Sequence, residues 1–434
     1  MQIPLRRPTF TLIAAVLLAA HAHAQSITLQ DAIAFPSART TYPMEEDPAI
    51  GYFELPTTDR VAHLVAKIKS GSVHLTSSGR SGYLTSLLSA LDVPVESQVL
   101  IFLKTSLQRQ FIDAKIPRVL FFTDDIVGGY IPGAKLIEIA VHDPQQGMIF
   151  YAIDQESKLV PIPERRNECA NCHITLATMA VTGLLNRSIA TREDGRVIPR
   201  VANGVVDHRT LANERWGGHY VTGLSGAAHL DNRAFTNVDS ETLQDMRPLP
   251  PLDQVDLSAY IFARADADAL MVFDHQMHMM NLITRIGWDA RVAADQVLTK
   301  GLAQDNADLL IRSDARELVD YLLFVDEAAP PGEISPSAFA RQFSQRGPRD
   351  RKGRSLYELD LTSWLMRYPC SYLIYSTAFE GLPKAAKAAV YARLWEVLSG
   401  KDRDRKYDRL AANNRKAITE ILKDTKIGLP AYFN

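Results

Sequence analysis

Leu136-Ile137-Glu138-Ile139-Ala140-Val141 and Met148-Ile149-Phe150-Tyr151-Ala152-Ile153, joined through Asp143-Pro144, decide the fold class of this 434-residue chain. Both runs are rich in β-branched and aromatic residues, and the turn signal between them is short, which is the pattern of an antiparallel hairpin. Gln98–Lys104, Arg118–Phe122 and Ile126–Ile131 are similar runs upstream. Their spacing of ~10 residues suits hairpin links and is too close for helical crossovers. Gly128-Gly129 and Pro132-Gly133 read as further turns within this cluster. Ahead of it, Asp59–Ser70 and Gly82–Leu91 carry helical apolar spacing, and Val93-Pro94 stops the second. Far downstream, Ser258–Ala293 reads as one or two long helices. Asp305–Ala328, Ser335–Phe343, Ser355–Met366, Leu373–Phe379, Lys384–Leu398 and Tyr407–Asp424 follow as shorter ones. Ala329-Pro330-Pro331-Gly332 and the charged stretch Arg346–Arg354 separate some of these segments.

Directly after the strand cluster, behind Pro161-Ile162-Pro163, stands Cys169-Ala170-Asn171-Cys172-His173. Cys-x-x-Cys alone is shared by zinc sites, redox disulfides and iron–sulfur half-sites; an immediate histidine makes it the attachment signature of a c-type haem. Two thiols a turn apart can close thioethers onto the two vinyl groups of one porphyrin, and the histidine is placed to give the iron its proximal ligand. A disulfide with a neighbouring histidine is the bland alternative. Residues 174–250 are loop-rich, with glycines at 183, 195, 204, 217, 218, 223 and 226 that allow close backbone approaches, and Met246–Asp256 reads as a stiff linker. Loops that long in a compact protein are usually functional. The expected fold is therefore α+β: an N-terminal antiparallel β-rich unit over 26–160, a loop-rich c-type haem region over 161–250, and a mainly α-helical C-terminal half over 251–434.

Residues 1–24 read as a secretory signal peptide: Arg6 and Arg7, an apolar run from Leu12 to Ala20, then Ala22-His23-Ala24 before Gln25. The apolar run is short for a bilayer-spanning helix of ~20 residues, and no later segment has that length and character. The expected location is a bacterial periplasm or the outer cell surface, with no transmembrane segment once the signal is removed. Forty-eight basic against 50 acidic residues argues against nucleic acid as a ligand and gives no global field for steering. With Cys169 and Cys172 assigned to the haem, Cys370 has no intramolecular partner, and its apolar, aromatic setting from Tyr368 to Tyr375 reads as a buried, inert thiol.

What a haem does depends on the far side of its iron. Methionine there suits a high-potential carrier, histidine a lower-potential one, and an open site suits chemistry on small ligands. The histidines to weigh are His208 in Asp207-His208-Arg209, His219 after Trp216-Gly217-Gly218, His229 in Ala228-His229-Leu230, and His275 and His278 in Asp274-His275-Gln276-Met277-His278. On a helix His275 and His278 share a face with Met271, Met279 and Leu282. For any single one of these, a hydrogen-bonded core or surface histidine is the commoner role, and methionines at helical spacing are more often core filler. Asp274, His275 and His278 could also furnish a zinc or non-haem iron site, but their spacing matches none of the usual hydrolase motifs. Among the sequence patterns there is no nucleophile elbow, phosphate-binding loop or dinucleotide fingerprint.

Several stretches resemble a group of exported bacterial proteins described as cytochrome c domain-containing. They are residues 98–108, Ile116-Pro117-Arg118-Val119-Leu120-Phe121-Phe122, Cys169–His173, Asp207-His208-Arg209, Arg215-Trp216-Gly217-Gly218-His219-Tyr220-Val221-Thr222-Gly223 and Pro369–Ser376. The resemblance runs from about residue 40 to the C-terminus and implies export and one covalent haem, without a substrate. Similar proteins carry tryptophan where this chain has His219, which demotes His219 as an obligatory ligand. His229, then His275, then His208 rank as distal candidates. The expected function is a periplasmic c-type cytochrome that exchanges electrons with a redox partner protein or a small-molecule donor or acceptor. The alternative is a haem-dependent oxidoreductase, peroxidase- or oxidase-like, or a haem-based sensor of a small ligand. For the oxidoreductase, His208 and Arg209 would assist the chemistry.

Overall fold

A computed structural model describes residues 44–157, 159–198, 203–226, 230–236 and 242–433. Strands β1 (Val99–Ile101), β2 (Arg118–Phe122), β3 (Ile126–Tyr130), β4 (Leu136–Asp143), β5 (Gly147–Asp154) and β6 (Glu164–Arg165) form an antiparallel meander. β7 (Asn186–Ile189) and β8 (Asn203–Val206) pair apart from it as a hairpin, and β9 (His219–Tyr220) returns to pair with β1. The strand order is β6-β5-β4-β3-β2-β1-β9.

Alternation along each strand sends side chains to two faces. Register puts Val99, Leu120, Phe122, Val127, Ala140, Met148 and Phe150 on one face. Those residues share a core with the longest helix. Leu100, Val119, Phe121, Ile137, Ile139, Ile149 and Ile153 point the other way, onto α1 (Arg60–Lys69) and α2 (Leu84–Ala90). Helix α1 begins where Asp59 accepts the Ala62 amide, a side-chain N-cap, and Lys67 and Lys69 complement the dipole at its end. Val61, Leu64 and Ile68 form its buried stripe.

A single turn of helix, α3 (Ala170–His173), precedes the long α4 (Ala267–Thr299). Helix α4 is buried nearly all round from Ala267 to Ala293, because the sheet covers one side and the C-terminal helices the rest. Those are α5 (Gln304–Leu322), α6 (Ala338–Gln345), α7 (Thr377–Glu380), α8 (Lys384–Leu398) and α9 (Ala412–Thr425). Sheet and helices thus meet in one apolar core, and residues 44–434 form one compact unit. The antiparallel sheet with accompanying helices is a mixed α+β architecture. Among the described residues no helix is long and apolar enough to cross a membrane. The expected signal peptide lies outside the described residues.

Several sequence expectations are corrected. Gly128 and Gly129 lie inside β3, not in a turn. Leu88 sits over Gly128, while a Cβ on Gly129 would come within 2.8 Å of the Arg118 guanidinium. Residues 258–266 stay outside α4, since Thr222 bridges to Asp266 and pairs its backbone with Ala265 and Ala267. Ser355–Met366 is not a helix: Leu359 and Met366 bridge antiparallel around a tight turn, with Leu361 at φ +62°. Its apolar residues Leu356, Tyr357, Leu361, Leu365 and Met366 are buried all the same, so the spacing reported burial and not helicity. Leu373–Phe379 divides into a 3₁₀ turn and α7, and Met246 pairs with Phe235 as part of a short strand. Two-residue β9 was too short to leave a periodic signal.

Candidate haem-attachment turn

The edge of the sheet delivers the Cys-x-x-Cys-His stretch. β6 pairs with β5, and the Arg166 amide still bonds to the Phe150 carbonyl before the chain turns into α3. Cys169, Cys172 and His173 are therefore at i, i+3 and i+4 of one turn, on a common side. Both thiols are free, Cys172 exposed and Cys169 half-buried. Burial pushes the Cys169 thiol up to about 11, with Glu168 adding to the effect.

His173 is tied down at one nitrogen. Its Nδ1 lies 2.9 Å from the Gly183 carbonyl oxygen, which can only accept, so Nδ1 carries the proton. The Gly183 amide bonds back to the His173 carbonyl at 3.0 Å, and Ile174 bridges Thr182. The ring rests on Phe150 of β5, centroids 4.5 Å apart. In this tautomer Nε2 holds the lone pair, the state a metal-ligating histidine needs, with its other nitrogen oriented by a carbonyl. Burial also keeps the imidazole below its ordinary pKa, hence neutral. Nearby, Arg118 and Glu138 pair at 2.6 Å, and Ser106 donates to Glu138 at 3.0 Å.

The loop behind the histidine is anchored in the protein's centre. Thr175 and Thr178 cap each other reciprocally, Met179 and Ala180 follow at φ +59° and +55°, and Arg285 of α4 donates to the Met179 carbonyl at 2.8 Å. Left-handed non-glycine residues cost energy and persist only where surroundings over-determine them. Asn281, also on α4, grips both backbone groups of Leu184, accepting from its amide at 3.2 Å and donating to its carbonyl at 2.8 Å. Gly183 is needed for that approach, because a Cβ there would come within 2.2 Å of the Asn281 side-chain oxygen. Neither Gly183 nor Asn281 stands out as a site residue in the sequence. The available clue is a primary amide between Met280 and Leu282 on a buried helix.

The other histidines gather elsewhere. His208 and His275 face each other, Nδ1 to Nδ1 at 2.8 Å, and His275 Nε2 lies 2.7 Å from Ser371 Oγ. Tyr321 stacks on His208 at 4.1 Å and Phe324 on His275 at 4.3 Å. Both imidazoles are held far below their ordinary pKa, chiefly by burial. Around them, Asp274 accepts from Asn186 at 2.6 Å and from the Trp216 indole at 2.8 Å, while Asn186 also meets His219 Nε2 at 2.9 Å. Burial pushes the Asp274 carboxyl up to about 6. His278 meets Arg209 at 3.2 Å, and Arg209 is paired with Asp207.

Asp207-His208-Arg209, Arg215–His219 and Asp274–His278 thus converge into one polar cluster, buried except at its rim, where Arg209 is exposed. His275 has both ring nitrogens committed inside it, and the hydrogen-bond and ring partners of His173 are Gly183 and Phe150, not His208 or His275. His229 lies outside the described residues. Asp274, His275 and His278 belong to that cluster but do not form a ligand set: among the described residues no group of three or more His, Cys, Asp or Glu side chains is placed to hold a metal ion. Cys370 is fully buried, and burial alone pushes its thiol far up. No protein-family model matches this chain, and comparison with curated proteins and with solved structures returns no match.

Proposed function

We propose that this protein is an exported c-type cytochrome carrying one haem c, held through Cys169 and Cys172 with His173 as proximal ligand, and that it exchanges single electrons with a redox partner. One observation carries the reading: the His173 Nδ1–H bond to Gly183, which leaves Nε2 as a bare nitrogen beside two free thiols. The donor set fits the group, since neutral imidazole ligates iron and unpaired cysteines can form thioethers. Bound there, the haem supplies reversible one-electron redox chemistry.

The chain's own residues supply the rest. Phe150 backs the imidazole, and the Gly183 carbonyl orients it and raises its basicity. Cys172 is exposed and Leu176, three residues beyond His173, is 95 % exposed. A site at the surface suits delivery of electrons to a docked partner better than conversion of an enclosed substrate.

The test is covalent retention. The exported wild-type chain should keep haem stain on a denaturing gel, and Cys172→Ser should abolish or severely weaken it. Full retention in Cys172→Ser, or no stain in the wild type, would contradict the proposal.

A further inference from the structure

We infer that Asn281, in the middle of α4, is a positioning residue for His173: it holds the loop whose carbonyl sets the tautomer and angle of the imidazole. The inference deepens the reading of the haem-attachment turn and rests on it for its relevance, though not for its first test.

The geometry is a short chain of contacts. Asn281 binds both the amide and the carbonyl of Leu184. That two-point grip fixes the orientation of the preceding peptide, whose carbonyl belongs to Gly183 and accepts from His173 Nδ1. Gly183 has no side chain to hold it off, so the amide oxygen of Asn281 sits directly against it. Thr178 closes the other side, its hydroxyl donating to the Val181 carbonyl at 2.9 Å. Asn281 itself is 1 % exposed, on a helix packed on all sides, and cannot drift. The exposed turn thereby acquires the rigidity of the core, which a single four-residue helical turn cannot supply alone. Nδ1 is the ring nitrogen that faces the Gly183 carbonyl, so only the Nδ1–H tautomer can bond there and the grip selects the form with Nε2 free.

The experiment compares Asn281→Leu, nearly isosteric but unable to bond, with Thr284→Val. The latter removes a buried hydroxyl one turn along the same helix that bonds His142 and the Met280 carbonyl. In the full chain carrying Cys169→Ser and Cys172→Ser, which takes no covalent haem, nitrogen-15 NMR reads the His173 tautomer directly. With Asn281 present, Nδ1–H should dominate. Asn281→Leu should lower its ratio to Nε2–H about fivefold, the factor supported by one hydrogen bond of ordinary net strength. Thr284→Val should leave the ratio unchanged although it lowers the melting temperature.

In the chain with both cysteines intact, Asn281→Leu should keep stain on a denaturing gel while its ferric resonance signal broadens, and Thr284→Val should keep the wild-type signal. An unshifted tautomer ratio in Asn281→Leu, or an equal shift in Thr284→Val, would overturn the inference. A wild-type chain without haem would instead overturn the proposed function and leave the tautomer result standing.

Discussion

Two histidine sites in this molecule are built in opposite ways. At the surface turn, His173 uses one nitrogen for a backbone carbonyl and keeps the other free. In the core, His275 commits both nitrogens, to His208 and to Ser371, between stacked aromatic rings. His173 is itself largely buried, and beside His275 the Nε2 of His208 has no hydrogen-bond partner, so the contrast is between the two commitments of His275 and the one of His173.

The sharpest way to break this comparison is to delete each ring. His275→Ala should cost about 3–5 kcal/mol, combining a cavity with stranded polar groups on His208 and Ser371. Thermal melting would show it as a large fall, with covalent haem retained in whatever protein folds. His173→Ala should cost less, about 1–2 kcal/mol for one ordinary hydrogen bond and part of the packing on Phe150, yet it should change the haem absorption spectrum. If the two substitutions proved equally destabilising, the contrast would fail.

Acid should sharpen it. Burial holds His142, His219 and His278 near 4, against 6.5 for the ordinary group. His208 and His275 are lowered in the same sense. Between 6.5 and 4 the unfolded chain binds protons at these positions and the folded one does not, so stability falls as the pH drops through that window. Each fully depressed histidine accounts for on the order of 2–3 kcal/mol across it. Asp274, raised to about 6, and Glu327, raised to about 7, act in the opposite sense and offset part of that loss, as do Glu45, Asp59, Asp124 and Asp268, all raised chiefly by burial. Denaturant unfolding at pH 7 and pH 4.5 should show a clear loss at the lower value, and equal midpoints would contradict the burial of the cluster.

Much of this was legible in the chain. The strands from Arg118 to Asp154 announce themselves, because each alternates or runs apolar between strong turn signals. Helix α8 matches its apolar spacing from Lys384 to Leu398, and α1 is bracketed by the cap at Asp59. The Cys169–His173 turn was legible from five consecutive residues, since thiols and imidazole on one turn are a local constellation, and the haem it would hold is the reading proposed above. What was not legible is long-range. Asn281 lies more than a hundred residues from His173, and nothing local marks it. Ser355–Met366 shows the converse failure: buried leucines at helical intervals line a tight turn held by Glu358, which meets both Arg349 and Arg367 at 3.1 Å.

Two smaller effects complete the set. Asp59 caps α1 and also accepts from the Tyr151 hydroxyl at 2.8 Å. Asp59→Ala should therefore lower stability by about 1–2 kcal/mol without altering haem retention, as read by denaturant unfolding. Cys370 should resist thiol reagents in the native protein and react only on unfolding, because its thiolate has no charged partner and no solvent. Rapid native labelling would show that this part of the core opens.

The most direct measurement is the absorption spectrum of the exported, purified protein, oxidised and reduced, with its iron content. A sharp α-band on reduction, one iron per chain and colour that survives denaturation are the expected result. A colourless, iron-free protein, with His173 oriented as described, would contradict the account.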